Sequence, residues 1–74
     1  MPGYVIQSIL LKRSKFEKGR AYAWMRDHGY SVAKLDVTPQ FYRFRQVDSD
    51  RLKGGRFRMI GLGDIGEMVI VYMG

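Results

Sequence analysis

The chain of 74 residues is 46% hydrophobic and 14% aromatic, and it contains no cysteine. This length and composition predict a single small globular domain over residues 1–74 and exclude a disordered segment, a disulfide framework and a thiolate metal site. The 13 basic residues against 7 acidic ones give a net charge of +6, which favours an anionic partner such as nucleic acid, an acidic protein surface or anionic lipid.

A strand followed by a helix opens the predicted order of elements. The β-branched and apolar run at residues 4–12 predicts a strand. Ser14 and Glu17 fit a capping box, which predicts a helix over residues 15–28. Gly29, with an apolar residue after it, indicates a glycine that ends the helix. One apolar stripe follows the helical spacing i, i+3, i+4 and i+7, namely Ala21, Trp24, Met25 and His28.

Four more strands are predicted beyond the helix, because β-branched and aromatic residues alternate there between turn residues. They cover residues 32–38, 41–47, 56–60 and 67–73, with a polar loop at 48–55. The predicted fold class is α+β: one helix packed on a four- to five-stranded antiparallel or mixed sheet, in the order β-α-β-β-β-β. A domain this small buries only about 60 to 65% of its unfolded surface, so we expect a partner or oligomerisation to stabilise it.

The segment GLGDIG, residues 61–66, matches the glycine pattern of dinucleotide-binding loops. That pattern needs a helix directly after the glycines, because the pyrophosphate sits on the amino terminus of that helix. The residues that follow, 67–73, are strand formers instead. We therefore expect a turn between two antiparallel strands, with Asp64 tolerating the unusual dihedral angles, and no nucleotide cofactor.

Catalytic chemistry is poorly represented in the chain. His28 is the one histidine, and its place in the last helical turn favours a structural role at the helix dipole. No serine stands in a nucleophile-elbow context. Asp48 and Asp50 are too few for a calcium loop and read as turn residues. We expect no enzyme, no metal, no cofactor, no small-molecule substrate and, since apolar runs are short, no membrane span.

The strands at 41–47 and 56–60 carry arginine at alternate positions, and alternate residues share one face of a strand. If these strands pair as a hairpin around the 48–55 loop, four arginines gather on one side, with Lys53 at the rim and Phe41 beside them. The arginines are Arg43, Arg45, Arg56 and Arg58. The aromatic and apolar side is expected to pack on Trp24 and Met25, and it comprises Tyr42, Phe44, Phe57 and Met59.

A cluster of guanidinium groups invites an anion, because arginine grips phosphate or carboxylate through a planar fork. The first hypothesis is therefore a non-enzymatic module that binds nucleic acid on this face, with Phe41 offering an edge for base stacking. The second is a protein-interaction factor, an inhibitor or assembly component, that contacts its partner through apolar residues such as Val69 and Val71. The remaining alternative is a solvated outer face without a partner. Salt dependence separates the first two, because counterion release drives nucleic-acid binding.

The order QSILLKRSKF, AYAWMRDHGY and FYRFRQ, followed by a late glycine turn and an apolar strand, resembles a short module of tailed-phage and other viral proteins. The resemblance covers most of the chain, and the FYRFRQ strand is its most specific part. The module carries Asn-Tyr where this chain has Gln40 and Phe41, and Gly19 is atypical for it. The resemblance implies a viral accessory role in the host cell interior or on the virion. The matching positions are Gln7, Lys15, Phe16, Ala21, Trp24, His28, Gly29, Tyr30, Tyr42, Arg43, Phe44, Arg45 and Gln46.

Overall fold

The computed structural model describes residues 3–73, apart from the side chains of Ser49 and Met73. It contains one helix and a five-stranded antiparallel sheet, which confirms the predicted α+β class and element order. Two short 3₁₀ turns lie at Ser49–Leu52 and Gly63–Ile65. The elements are β1 (Gly3–Lys12), α1 (Lys18–Asp27), β2 (Leu35–Val37), β3 (Phe41–Arg45), β4 (Arg56–Gly61) and β5 (Gly66–Met73).

The strands are ordered β2-β3-β1-β5-β4 across the sheet, so β3, β1 and β5 are interior and β2 and β4 are the edges. The two most apolar strands thus occupy the positions with a neighbour on both sides. The predicted hairpin between β3 and β4 is wrong, because β1 and β5 lie between them. The polar loop between β3 and β4 therefore crosses the sheet instead of turning back on itself.

The helix begins later than its predicted capping box. The Lys15 and Phe16 backbone N–H groups both donate to the Lys12 carbonyl oxygen, at 3.0 and 3.1 Å, and so close a turn directly after β1. Ser14 lies in this turn, and α1 starts at Lys18 with Glu17 as an N-cap whose side chain makes no capping bond. The reversal of the chain after β1 uses the residues that the local pattern assigned to the first helical turn.

The helix ends as predicted. Gly29 adopts a φ of 77°, in the left-handed region. Its N–H donates to the Arg26 oxygen at 3.0 Å, and the Tyr30 N–H donates to the Met25 oxygen at 2.9 Å, which is the Schellman arrangement. His28 contacts the end of the helix: its Nδ1 lies 2.7 Å from the carbonyl oxygen of Trp24, and its ring stacks on that indole with centroids 3.9 Å apart.

The hydrophobic core lies between α1 and one face of the sheet, here called the helix face. Fully buried side chains from β1, β3 and α1 form it. Burial of each of the larger side chains stabilises the fold by about 1.5 to 3 kcal/mol. Of the predicted stripe, Ala21 and Met25 are fully buried, Trp24 packs at the core margin, and His28 is exposed. The core residues are Ile9, Leu11, Ala21, Met25 and Phe44.

The other face of the sheet, here called the outer face, carries no helix. Val71 projects from it yet is fully buried, and so is Ser8. The connection from β3 to β4 begins beside this face, since Gln7 Nε2 donates to the Val47 oxygen at 3.2 Å. Leu52 in the same connection is 4% exposed. We infer that the connection crosses the outer face over the start of β1 and the end of β5.

Several strand limits differ from prediction by a few residues. β2 has three residues because β3 ends at Arg45, whose N–H donates to the Lys34 oxygen, and so offers no strand partner to residues 32 and 33. β3 stops at Arg45 because the N–H groups of Gln46 and Val47 both donate to the Gln7 oxygen, next to a β-bulge in β1. The GLGDIG segment forms the predicted turn between β4 and β5, closed by the Leu62 N–H on the Gly66 oxygen at 2.9 Å, but the left-handed φ of 68° belongs to Gly63 and not to Asp64 as expected. Across residues 3–73, no helix has the length and apolar character needed to cross a membrane.

Candidate binding surface

The four arginines of the predicted cationic face lie on opposite faces of the sheet. Ile9 pairs with Phe44 in the core, so the next pairs along, Leu10 with Arg43 and Ser8 with Arg45, project from the outer face. On the other side of β1, Arg56 pairs with Tyr72 and Arg58 with Ile70, which places both on the helix face. The predicted four-arginine patch therefore does not form.

Arg43 and Arg45 share one carboxylate. Asp36 lies opposite Arg43 in the neighbouring strand, and its Oδ2 is 3.8 Å from Arg43 Nη1 and 3.0 Å from Arg45 Nε. The Arg45 N–H is not directed at that oxygen, so this is an ion contact without a formed hydrogen bond. One negative charge thus offsets half of the positive charge of the pair, which weakens its attraction for a phosphate.

Phe41 remains beside Arg43 and Arg45 on the outer face, as predicted, and pairs with Lys12. Its ring is half-buried. It lines an open pocket of ≈ 380 Å³ at the end of β1. Phe41 is therefore less exposed than Tyr4 and Tyr72. The pocket is lined by Lys12, Arg13, Ser14, Pro39, Gln40 and Phe41.

A second group of polar and aromatic side chains occupies the helix face beyond the reach of the core. Tyr4, Tyr72 and Arg56 lie in one row across β1, β5 and β4, and Arg58 follows two residues along β4. Tyr4 is 58% exposed and Tyr72 is 42% exposed. Their rings meet edge to face with centroids 6.2 Å apart. These four residues are here called the tyrosine–arginine face.

The tyrosine–arginine face carries positive charge that is not paired with an acidic group within residues 3–73. Among the described residues, no carboxylate oxygen lies within 4.0 Å of Arg56 or Arg58. Both arginines are exposed, and so is Lys53, three residues before Arg56. The Cα atoms of two residues at alternate positions of one strand stand roughly 7 Å apart, so the two guanidinium groups project from neighbouring points of the same face. Their mutual repulsion falls when an anion binds between them.

Phe57 and Met59 of β4 point away from the helix. Phe57 pairs with Val71 and Met59 with Val69 on the outer face. They are 56% and 57% exposed. The expectation that they pack on Trp24 and Met25 is therefore wrong, because β4 has the opposite facing to the one that the predicted hairpin required.

Apolar contact with a partner through Val69 and Val71 is also limited by the structure. Val71 is fully buried, and Val69 is half-buried. The surface available for apolar contact on this side of the sheet is that of Phe57 and Met59. These two side chains, rather than the valines, are the exposed apolar feature of the outer face.

The acidic residues form no metal site in the part of the chain that the structure describes. No group of three or more histidine, cysteine, aspartate or glutamate side chains comes together there. Asp48 accepts a hydrogen bond from Lys34 Nζ at 2.7 Å. This hydrogen bond, with the charge of Lys34, lowers the pKa of Asp48. Asp48 directly precedes the 3₁₀ turn at Ser49–Leu52, and Asp50 lies exposed within it.

Sequence reasoning missed Tyr4 and Tyr72 as site residues. They stand far apart in the chain and meet only because β1 and β5 are neighbours in the sheet. The sequence signal for these two tyrosines was weak. Each is next to an apolar residue that is expected to be buried, so alternation places the tyrosine on the opposite face of its strand, but the pattern does not say which face is exposed. Comparison with protein-family models, with curated proteins and with solved structures finds no match to this chain.

Proposed function

We propose that this protein is a non-enzymatic basic module that binds nucleic acid on the tyrosine–arginine face. The observation that carries the proposal is the placement of Arg56 and Arg58 beside two exposed tyrosine rings, with no carboxylate within 4.0 Å among the described residues. Arginine binds phosphate oxygens through two parallel N–H bonds. Tyrosine rings stack on bases that are not already stacked against a neighbouring base.

Single strands suit this surface better than duplexes. A sheet face with exposed aromatic rings can take unstacked bases, whereas a paired duplex hides them. Phosphate contacts and ring stacking do not depend on the identity of the base, so binding is expected without strong sequence preference. Phosphate contacts by Arg56 and Arg58 would supply the charge attraction, with Lys53 at the margin.

The setting we propose is that of a phage or other viral accessory protein, in the host cell interior or on the virion. This rests on the resemblance of the QSILLKRSKF, AYAWMRDHGY and FYRFRQ segments to the viral module. An accessory protein that coats or escorts nucleic acid needs charge and aromatic surface but no catalytic group. The sequence and the described site both fit that requirement.

The proposal is tested by fluorescence anisotropy with short single- and double-stranded DNA and RNA, at about 50 and 200 mM salt. The wild type is compared with two double variants of equal charge loss, Arg56→Gln/Arg58→Gln and Arg43→Gln/Arg45→Gln. Loss of two phosphate contacts should lower the slope of log affinity against log salt by about 1.4 for single strands. We expect this change in the β4 variant alone.

A further variant separates stacking from charge. Tyr72→Leu keeps an apolar residue in the strand but removes the ring, and we expect its affinity to fall roughly fivefold or more without a change in salt slope. Equal losses in the two double variants would mean that only net charge matters. Absence of binding at low salt would contradict the proposed function.

The second candidate function is a protein-interaction factor, an inhibitor of a host protein or a component of virion assembly. The exposed pair Phe57 and Met59 favours it, because exposed apolar side chains on a sheet commonly mark a protein contact. Binding to such a partner should depend less on salt than binding to nucleic acid. A salt-insensitive interaction lost in Phe57→Ser/Met59→Ser would support this second function.

A further inference from the structure

β4 is an open sheet edge along its whole length. All six of its residues are exposed, and its only strand partner in the described chain is β5. An edge strand of this length presents unpaired N–H and C=O groups that can pair with another strand. The opposite edge, β2, is only three residues long, and such a short strand offers little backbone for pairing.

The backbone groups that point outward from β4 can be identified. The Leu62 N–H donates to the Gly66 oxygen, so residue 62 directs its backbone toward β5. Backbone direction alternates along an antiparallel strand. Residues 60, 58 and 56 therefore also face β5, and the N–H and C=O groups of Phe57, Met59 and Gly61 face away from the sheet.

We propose that β4 pairs with β4 of a second copy of this chain, antiparallel about a two-fold axis at Met59, to form one continuous ten-stranded sheet. A two-fold axis that sets two edges side by side stands perpendicular to the sheet, so both copies keep their helices on the same side. Residues directly opposite each other must then project from the same face, which leaves few registers.

Two registers align five residues of β4, and charge selects between them. Centring the axis on Arg58 sets its guanidinium opposite that of the second copy, at the closer kind of pair, which is unfavourable. Centring it on Met59 sets Arg58 opposite Ile60 and Phe57 opposite Gly61. An aromatic ring across from a glycine covers the exposed backbone there, and this pairing is favourable.

Charge along the edge also favours the antiparallel arrangement. The basic residues lie before β4 or in its first half, namely Lys53, Arg56 and Arg58. Asp64 follows the end of the strand. Antiparallel pairing about Met59 sets Arg56 opposite Leu62 and brings Asp64 of the second copy beside Lys53 and Arg56. The basic beginning of each strand thus meets the acidic end of the other, and a parallel pairing would oppose like charges.

The exposed apolar side chains of β4 gain cover in this arrangement. Met59 meets Met59 of the second copy on the outer face, between the two phenylalanine–glycine pairs. These side chains are more than half exposed in the single chain. The net charge of +6 on each copy opposes association, so the pairing is expected to need salt near 150 mM, where the screening length is about 8 Å.

The test uses single-cysteine variants, which are unambiguous because the chain has no cysteine of its own. In the proposed register the two Met59 Cα atoms are about 5.5 Å apart, within disulfide range. The two Phe57 Cα atoms are roughly 14 Å apart. Met59→Cys should form a covalent dimer under mild oxidation without nucleic acid, while Phe57→Cys and Val37→Cys, on the other edge, should not.

A second variant tests the backbone pairing itself. Met59→Pro removes an N–H that faces away from β5, so the fold should persist while the dimer is lost. Sedimentation velocity of the wild type and of Met59→Pro, at equal concentrations and 150 mM salt, gives the oligomeric state. Equal cross-linking of all three cysteine variants, or a wild type that stays monomeric up to about 1 mM, would overturn the proposal. Neither result depends on nucleic-acid binding.

Discussion

Gly66 opens β5 at a point where the neighbouring strand leaves no room for a side chain. A Cβ atom there would collide with the backbone carbonyl oxygen of Leu10 and lie 2.9 Å from its carbon. Both of these are backbone atoms of a central strand, so they cannot move aside cheaply. The close approach of β1 and β5 therefore requires a glycine at this position.

Substitution at this position should show the constraint directly. Gly66→Ala is expected to lower the free energy of unfolding by about 2 to 3 kcal/mol, because the strands must separate or strain. Urea denaturation followed by circular dichroism measures it. Gly61→Ala, with nothing within 4 Å of its added carbon, is the matched control and should change stability by less than about 1 kcal/mol. Similar midpoints for the two variants would contradict this account.

Asp48 provides a pH-dependent contact at the residue scale. Its pKa lies below its ordinary value of 3.8, mainly because Lys34 donates a hydrogen bond to the carboxylate. A group whose pKa is lower in the folded state stabilises the fold above its unfolded pKa, and loses that contribution as pH falls through the folded value. The contribution is therefore present at neutral pH and lost in acid, below about pH 4.

The corresponding variant should depend on pH in the same way. Asp48→Asn is expected to be slightly less stable than the wild type at pH 7 and equally stable at about pH 2.5. Urea midpoints at the two pH values measure the difference. Asp50→Asn is the control, since no cationic nitrogen lies within 4.0 Å of Asp50 among the described residues. A gap that widens in acid would contradict the assignment.

At the scale of elements, the connection between β3 and β4 determines the topology. Its composition is that of a simple polar loop, yet Leu52 within it is almost fully buried. In a loop that only reversed the chain, a leucine is expected to be exposed to solvent. The crossing over two central strands accounts for that burial and for the burial of Val71 on the outer face.

Truncation of the Leu52 side chain tests whether the connection between β3 and β4 packs on the sheet or is an exposed loop. Leu52→Ala should lower the free energy of unfolding by about 2 to 3 kcal/mol, as for a core leucine, because apolar contacts are lost and a cavity remains. Lys53→Ala, one residue further and exposed, should lie within about 0.5 kcal/mol of the wild type. Thermal or urea unfolding measures both. A Leu52→Ala variant as stable as Lys53→Ala would show that the connection does not cover the sheet.

Local patterns predicted which segments become strands and where the helix ends, since alternation, β-branching and the Gly29 cap are encoded in neighbouring residues. They did not predict the helix start, because Ser14 fits both a capping box and a turn. Local patterns did not predict the order of the strands in the sheet either. Arg43 and Arg56 both lie in strands where arginine alternates with aromatic or apolar residues. No residue near either arginine indicates that β1 and β5 lie between those two strands.

That failure at the level of strand order changed the predicted site more than any error in a boundary. The alternation of arginine and aromatic residues was correct within each of β3 and β4. The facing of β4 relative to β3 was inverted because a hairpin was assumed. A correct prediction of Tyr4 and Tyr72 as site residues would have required knowing that the first and last strands pair.

At the scale of the whole molecule, the sheet separates two positive surfaces. The outer face holds Arg43 and Arg45, half offset by Asp36, while the helix face holds Arg56 and Arg58 with two exposed tyrosines. The central claim is that an anionic partner prefers the second surface. Pairing of two copies through β4 would set two tyrosine–arginine faces on the same side of one sheet and enlarge the binding surface.

The most direct test is a map of backbone amide chemical shifts by NMR, in which an 8.6 kDa chain is titrated with a short single-stranded oligonucleotide at low salt. The account predicts the largest shifts at Tyr4, Tyr72, Arg56 and Arg58, with small shifts along β3. Shifts concentrated at Arg43, Arg45 and the pocket beside Phe41, or no shifts at all, would contradict it.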